Sequence, residues 1–263
     1  MNSGDLRAPG LFIVLRFTMA EKIFKTHSEL ITLLRSRGVS IDTNDDIAYA
    51  KRVLSQIGYY NLINGYNKLF LVDPNNSNDV YKPGTTLQEI HGLYQFDKAL
   101  RNIFIKYILS VETHIKSLIA YYFSEKHGHK NFLIYDNFNT NIKNSHRQIP
   151  ELIANIQSQL ASKSSDPSIQ HYFQEYGYVP LWVLNNILTF GTISKFYRLM
   201  KTDERQSVSR HFNMLDNELE NCLYYLSTVR NFCAHDNRLY CYRSNKPLID
   251  TKYHQALNIP KNN

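Results

Sequence analysis

The sequence predicts an all-α protein. Three observations carry that expectation. Only ten Gly and eight Pro occur in 263 residues, too few turn formers for a fold of many short strands. The stretch from Leu87 to about His127 holds no Pro and a single Gly, Gly92. Within it Leu100, Ile103, Phe104, Tyr107, Ile108, Val111, Ile115, Leu118, Ile119 and Tyr122 recur at spacings of three and four, the period of a helix with one apolar face.

The other elements follow the same logic. Thr26 and Ser28 offer caps before Leu30, Ile31, Leu33 and Leu34, and Gly38 stops that helix. Asp45 and Asp46 open a second, with Ala48, Val53, Leu54 and Ile57 inside and Gly58 at its end. A third apolar stretch runs from Tyr59 to Val72. Asp73 to Asp79 is a polar loop, and Lys82-Pro83-Gly84 a further break. Thr85 or Thr86 then caps the long helix, which Gly128 ends. Residues 128–147 are polar and irregular. Helices are expected over Ile149–Ala161, Ile169–Tyr176, Leu181–Phe190 and Ile193–Met200, with Gly191 separating the last two. The last strong helix begins near Asp216, with Leu219, Cys222, Leu223, Leu226, Val229 and Cys233 on its core stripe. The expected organisation is an extension outside the fold (1–19, Met19 standing just before Ala20-Glu21-Lys22), an N-terminal helical lobe (20–84), a main helical domain (85–245) and a tail (246–263).

Bulk properties narrow the function classes. The net charge of +7 favours a polyanionic partner, because cationic side chains displace the counterions of phosphates. Cys222, Cys233 and Cys241 are odd in number and form no CxxC pair, which argues against a disulfide framework or a zinc site. No apolar run approaches the roughly 18 residues of a membrane span. The expected location is the cytoplasm. No Gly-rich phosphate loop, Ser-His-Asp spacing or HExxH motif is present, and no metal or cofactor is expected.

The chemistry concentrates at the end of the last helix. Opposite its core stripe lie Tyr224, Ser227, Thr228, Asn231 and His235. Asn231 and His235 are i and i+4 and share a face. Arg230 lies five residues before His235, about 140° away around an ideal helix. Two such helices packed antiparallel would bring the pairs into one cleft. Histidine supplies a base near neutrality, and a guanidinium stabilises charge gathering on a phosphorane. Asn231 is placed to bond the phosphate or fix the imidazole tautomer. These groups suit RNA cleavage by 2′-hydroxyl attack without metal. The spacing alone is weak evidence, since Arg205 and His211 form a comparable pair.

The surrounding residues are more specific. Arg230-Asn231-Phe232-Cys233-Ala234-His235-Asp236-Asn237-Arg238-Leu239-Tyr240 resembles the RN-x-x-AH-x-x-RL signature of the Abi-like family, bacterial abortive-infection proteins of the HEPN superfamily. Leu93-Tyr94-Gln95-Phe96-Asp97-Lys98-Ala99-Leu100-Arg101 is similar to its Y-x-FD-x-x-LR block. Val111-Glu112, Ile119-Ala120-Tyr121, Pro180-Leu181-Trp182 and Phe190-Gly191-Thr192 fit further blocks. Ile57-Gly58-Tyr59-Tyr60 and Gly65-Tyr66 fit the N-terminal part. The resemblance covers about 20–245. It implies a HEPN-type helical bundle, a homodimer with a composite site, and endoribonuclease activity in phage defence or a toxin–antitoxin system, with an RNA or protein antitoxin as partner. It makes Arg230 and His235 the catalytic pair, with Asn231 beside them. Lys116 stands where the family has Arg, and Asn186 where an acidic residue is common.

Other residues are weighed against simpler roles. Glu112 and Lys116 at i, i+4 form a surface ion pair on the simplest reading; the resemblance also lets Lys116 line an RNA cleft. Arg238, Tyr240, Tyr242 and Arg243 follow the motif and suit phosphate contacts and base stacking. His127 and His129 read as a solvated helix end, and Trp182 as a core or interface anchor. The alternative to an enzyme is a non-catalytic helical module that holds RNA or a protein partner. A third reading is a site acting on nucleotides.

Overall fold

A computed structural model describes residues 23–76 and 78–260. The predicted extension at 1–19 lies outside them. The fold is all-α: no strand occurs among the described residues, and two isolated bridges join Ser40 to Thr86 and Leu71 to Tyr81. Two compact units divide between His91 and Gly92. No helix of the described residues is long and apolar enough to cross a membrane.

In the first unit, α1 (His27–Ser36) starts at Thr26, whose hydroxyl accepts from Glu29 N while Glu29 accepts from Thr26 N at 2.6 Å. Both otherwise orphaned donors are satisfied, as a capping box requires. Gly38 follows with φ +101, a left-handed conformation that suits glycine. α2 (Asn44–Ile57) is opened by Thr43 rather than by the aspartates, and Asp46 closes the box from its third position. Val53, Leu54, Leu62 and Ile63 fill the core of this unit. The apolar stretch after Gly58 forms a short helical segment built around a π turn, Tyr60–Asn64, and then a 3-10 turn, Lys68–Phe70.

The cap has a measurable consequence. Hydrogen bonds from Thr43 backbone and side chain, then from Gln88, hold the Asp46 carboxyl at about 2. A lowered folded-state value stabilises the fold fully above the ordinary 3.8 and is lost as pH falls toward about 2. Thr43→Ala is expected to raise the Asp46 pKa and shrink this acid-limb contribution. Carboxyl NMR titration measures it; an unmoved pKa would refute the cap.

The second unit contains most of α3 (Leu87–His127), then α4 (Ser145–Ser162), α5 (Pro167–Tyr176), α6 (Leu181–Leu184), α7 (Phe190–Leu199), α8 (Thr202–Arg210), α9 (Asp216–Ala234) and α10 (Lys252–Ala256). α7 packs on α4 and α9, and α8 packs on α9. The core joins Ile115, Ile119 and Phe123 of α3 to Phe196 and Tyr197 of α7 and Leu223 of α9. Phe123 and Phe196 meet edge to face at 4.8 Å, a favoured ring geometry.

Several expectations are corrected. The helix expected over Leu181–Phe190 stops at Leu184, and Phe190 instead begins α7. Thr189 causes this: its hydroxyl accepts from Thr192 N at 3.2 Å and starts a new helix, so Gly191 sits inside the first turn of α7. α4 starts four residues earlier than expected, with Pro150 inside it. α8 and α10 carry too few apolar residues to show a stripe. Ser227 of α9 is buried, not on the outer face.

The long stripe of α3 splits in two. Ile108, Ile115 and Ile119 are buried, but Ile103, Phe104 and Tyr107 are exposed, as is Phe96 one turn before Leu100. Phe96, Ile103 and Tyr107, at i, i+7 and i+11, lie on one apolar face left uncovered in the single chain.

Candidate functional site

The end of α9 is built by a turn that the sequence does not advertise. His235 caps the helix, donating its backbone N–H to Asn231 O at 3.1 Å. Asp236 adopts φ +53, and Asn237 N donates to Phe232 O at 3.0 Å. This is a Schellman arrangement with Asp in the left-handed position usually given to glycine. The carboxylate of that Asp is engaged by Arg101 Nη2 at 3.2 Å.

Arg101 in turn pairs with Asp97, one turn before it on α3; the two are 3% and 0% exposed. Asp97 Oδ1 also accepts from the backbone of Leu239 at 3.0 Å and Tyr240 at 2.7 Å. A buried ionic pair on α3 therefore clamps the segment 236–240. Both residues lie in the quoted Y-x-FD-x-x-LR block, yet no role followed from it. The available signal was a pair of opposite charges at i, i+4 within that block. Burial pushes the Tyr240 phenol up to about 12, so it stays protonated at neutral pH.

Arg230 turns toward α3. Its Nε lies 3.6 Å from Glu112 Oε2, and its side chain is 32% exposed. Lys116 Nζ meets the other oxygen of Glu112 at 2.8 Å. The surface ion pair expected of Glu112 and Lys116 exists, but it is not a surface pair: their side chains are 8% and 15% exposed. Glu112 is a buried carboxylate shared by two cations, and Arg230 is one of them. His235 and Asn231 are exposed, and the His235 imidazole has no hydrogen-bond partner among the described residues. The structure joins Arg230 to Glu112 and Lys116 and leaves His235 open to solvent at the cap. Arg238 and Arg243 are exposed just beyond it, and Tyr242 packs its ring on Phe232 at 4.5 Å.

The other candidates resolve differently. Arg205 pairs with Asp216 at 3.0 Å and Glu220 at 2.8 Å, while His211 bonds the Tyr122 hydroxyl at 2.8 Å; that Arg–His spacing is absorbed by separate contacts. His127 is not solvated, since its Nε2 meets the buried Glu204 carboxylate at 2.6 Å. Trp182 is 49% exposed and lines a groove with Glu112 and Lys116. Among the described residues no group of three or more His, Cys, Asp or Glu is placed to hold a metal ion.

A helical fold with a cationic motif clamped at a helix end is the class of protein defined so far. The family model described as Abi-like protein matches residues 52–241. The chain belongs to the Abi-like protein family, which links it to abortive infection. No curated protein and no solved structure matches it.

Proposed function

We propose that this protein is a metal-independent endoribonuclease of abortive-infection or toxin type. The observation that carries the reading is the end of α9, where an exposed imidazole, unpartnered among the described residues, follows by five residues a guanidinium steered by a buried carboxylate. His235 takes the proton of an RNA 2′-hydroxyl, and the oxygen attacks the neighbouring phosphorus. The bond from phosphorus to the 5′ oxygen breaks, and that oxygen leaves with a proton. Arg230 stabilises the charge on the phosphorane. Asn231, on the same face as His235, bonds the phosphate. Arg238, Tyr240, Arg243 and Lys116 hold the adjoining RNA.

The active unit is a homodimer with a composite site. Arg230 faces α3 while His235 faces solvent, and α3 carries the uncovered apolar face of Phe96, Ile103 and Tyr107. A second copy of the chain covers that face. An RNA or protein antitoxin is the further partner proposed, and the cytoplasm is the proposed location. Labelled RNA incubated with the purified protein in EDTA tests the chemistry. Fragments ending in 2′,3′-cyclic phosphate are expected. Strict dependence on Mg²⁺ would sink the mechanism, and intact RNA would favour the non-catalytic module.

A further inference from the structure

The segment after the Arg–His motif folds back along α9. Tyr225 of α9 donates its hydroxyl to Lys246 O, and Ser244 Oγ donates to that hydroxyl at 3.1 Å. Asn221, one turn earlier, brackets the same strap: its Nδ2 donates to Pro247 O at 3.3 Å and its Oδ1 accepts from Ile249 N at 3.0 Å. Apolar burial is not what fastens it, since Leu248 and Ile249 stay 46% and 38% exposed. The fastening brings Lys246 over α9, with its Nζ 4.0 Å from the centroid of the Tyr224 ring. The electron-rich face of the ring holds the ammonium there.

That ring lies on the face of α9 that carries His235. Tyr224, Thr228, Asn231 and His235 stand at i, i+4, i+7 and i+11, within about 60° of one another on an ideal helix. The charge along this stretch is one-sided. From Asn221 to Ile249 the cations are Arg230, Arg238, Arg243 and Lys246. The one carboxylate is Asp236, which Arg101 engages at 3.2 Å. Arg243 and Lys246 are exposed and form no ion pair among the described residues. A cation held by a ring keeps its full charge, whereas one held by a carboxylate is neutralised, so this strip attracts a polyanion. Its length requires an extended one. Eleven residues of helix separate Tyr224 from His235, about 16 Å at 1.5 Å per residue. A lone phosphate spans none of this distance; a strand spans it with about five nucleotides at roughly 3.4 Å each.

We propose that the strap is a distal subsite for the RNA strand, in which Lys246, positioned by Tyr224, binds a phosphate about five nucleotides from the cut. Arg243 is a second phosphate contact on the same strap. The place of the cut rests on the ribonuclease reading; the binding of the strand is measured without cleavage. The full-length protein is titrated with a fluorescently labelled 2′-O-methyl RNA of twelve nucleotides, which lacks the attacking hydroxyl, and anisotropy is followed over a range of salt concentrations.

Lys246→Ala and Arg243→Ala are each expected to weaken binding about fivefold at about 0.1 M salt. Each is also expected to make the fall of log K with log salt shallower by about 0.7, the share of one phosphate contact on a single strand. Lys246→Arg is expected to restore both. Tyr224→Leu is expected to reproduce part of the Lys246→Ala loss and to add nothing to it in the double variant, while Tyr224→Phe, which retains the ring, rescues binding. Should Lys246→Ala unsettle the strap, Lys246→Gln keeps the stem over the ring and removes only the charge. Substrates lengthened one nucleotide at a time then locate the contact. kcat/KM is expected to step up about fivefold as the strand reaches about five nucleotides from the cut, and Lys246→Ala to abolish the step. Unchanged affinity and salt slope in Lys246→Ala overturn the proposal, as does a step that survives it. Lowered slopes in a protein that cuts no RNA would remove the ribonuclease mechanism and leave the strap. Histidine-dependent cleavage with affinity unmoved by either cation would do the reverse.

Discussion

His235→Ala is expected to lower the rate of RNA cleavage by about 10²–10⁴-fold, the range spanned by loss of a general base, while leaving Tm unchanged. The second half of that expectation comes from the structure. The imidazole is exposed and unpartnered among the described residues, so its removal opens no cavity and orphans no neighbour. Arg230→Ala is expected to cost a similar factor, about 10²–10³ for a lost electrostatic contact to the transition state. It also leaves Glu112 with Lys116 alone. Mixing the two inactive variants tests the composite site. A mixed dimer carries an intact Arg230 on one chain and an intact His235 on the other. Regained cleavage on mixing supports a site shared between chains; none at any ratio argues for a site within one chain. Activity in His235→Ala equal to that of the unaltered protein would end the mechanism.

Asp97→Ala is expected to be the most destabilising single change near the site. It takes the buried carboxylate away from Arg101, which keeps the exposed Asp236 at 3.2 Å, and strips that acceptor from the Leu239 and Tyr240 amides. Breaking a buried ion pair by removing one partner costs about 3–5 kcal/mol. For a unit of this size that lowers Tm on the order of 10 °C. Release of 236–240 is also expected to weaken RNA binding through Arg238 and Tyr240, so hydrogen exchange should quicken at the Leu239 and Tyr240 amides. Asp97→Asn retains an acceptor and should cost less. A loss below about 1 kcal/mol for the alanine variant, within the range of ordinary substitutions, would show that the clamp is not what holds the segment.

The two predictions differ in how far the sequence foretold them. His235 was legible as chemistry because its neighbours Arg230, Asn231 and Arg238 form a contiguous motif on one helix end. Asp97 and Arg101 were legible only as letters in a resembling block, because their partners lie 142 and 135 residues along the chain. α8 was missed for a related reason. Its one buried aliphatic residue is Val208, and its ion pairs reach Asp216, Glu220 and His127 on other helices.

By itself the sequence determined the all-α class, most helices and the segment that carries the Arg–His motif. These depend on local physics: the 3.6-residue period, the cap at Thr26, and glycines at positive φ. Only the tertiary structure decided that Glu112 is buried between Lys116 and Arg230, that Asp97 and Arg101 clamp the turn after His235, and that half of the α3 stripe stays uncovered. A residue's period tells which face of a helix it shares. Which face is covered, and which distant backbone groups find a buried charge, depends on the elements packed against it.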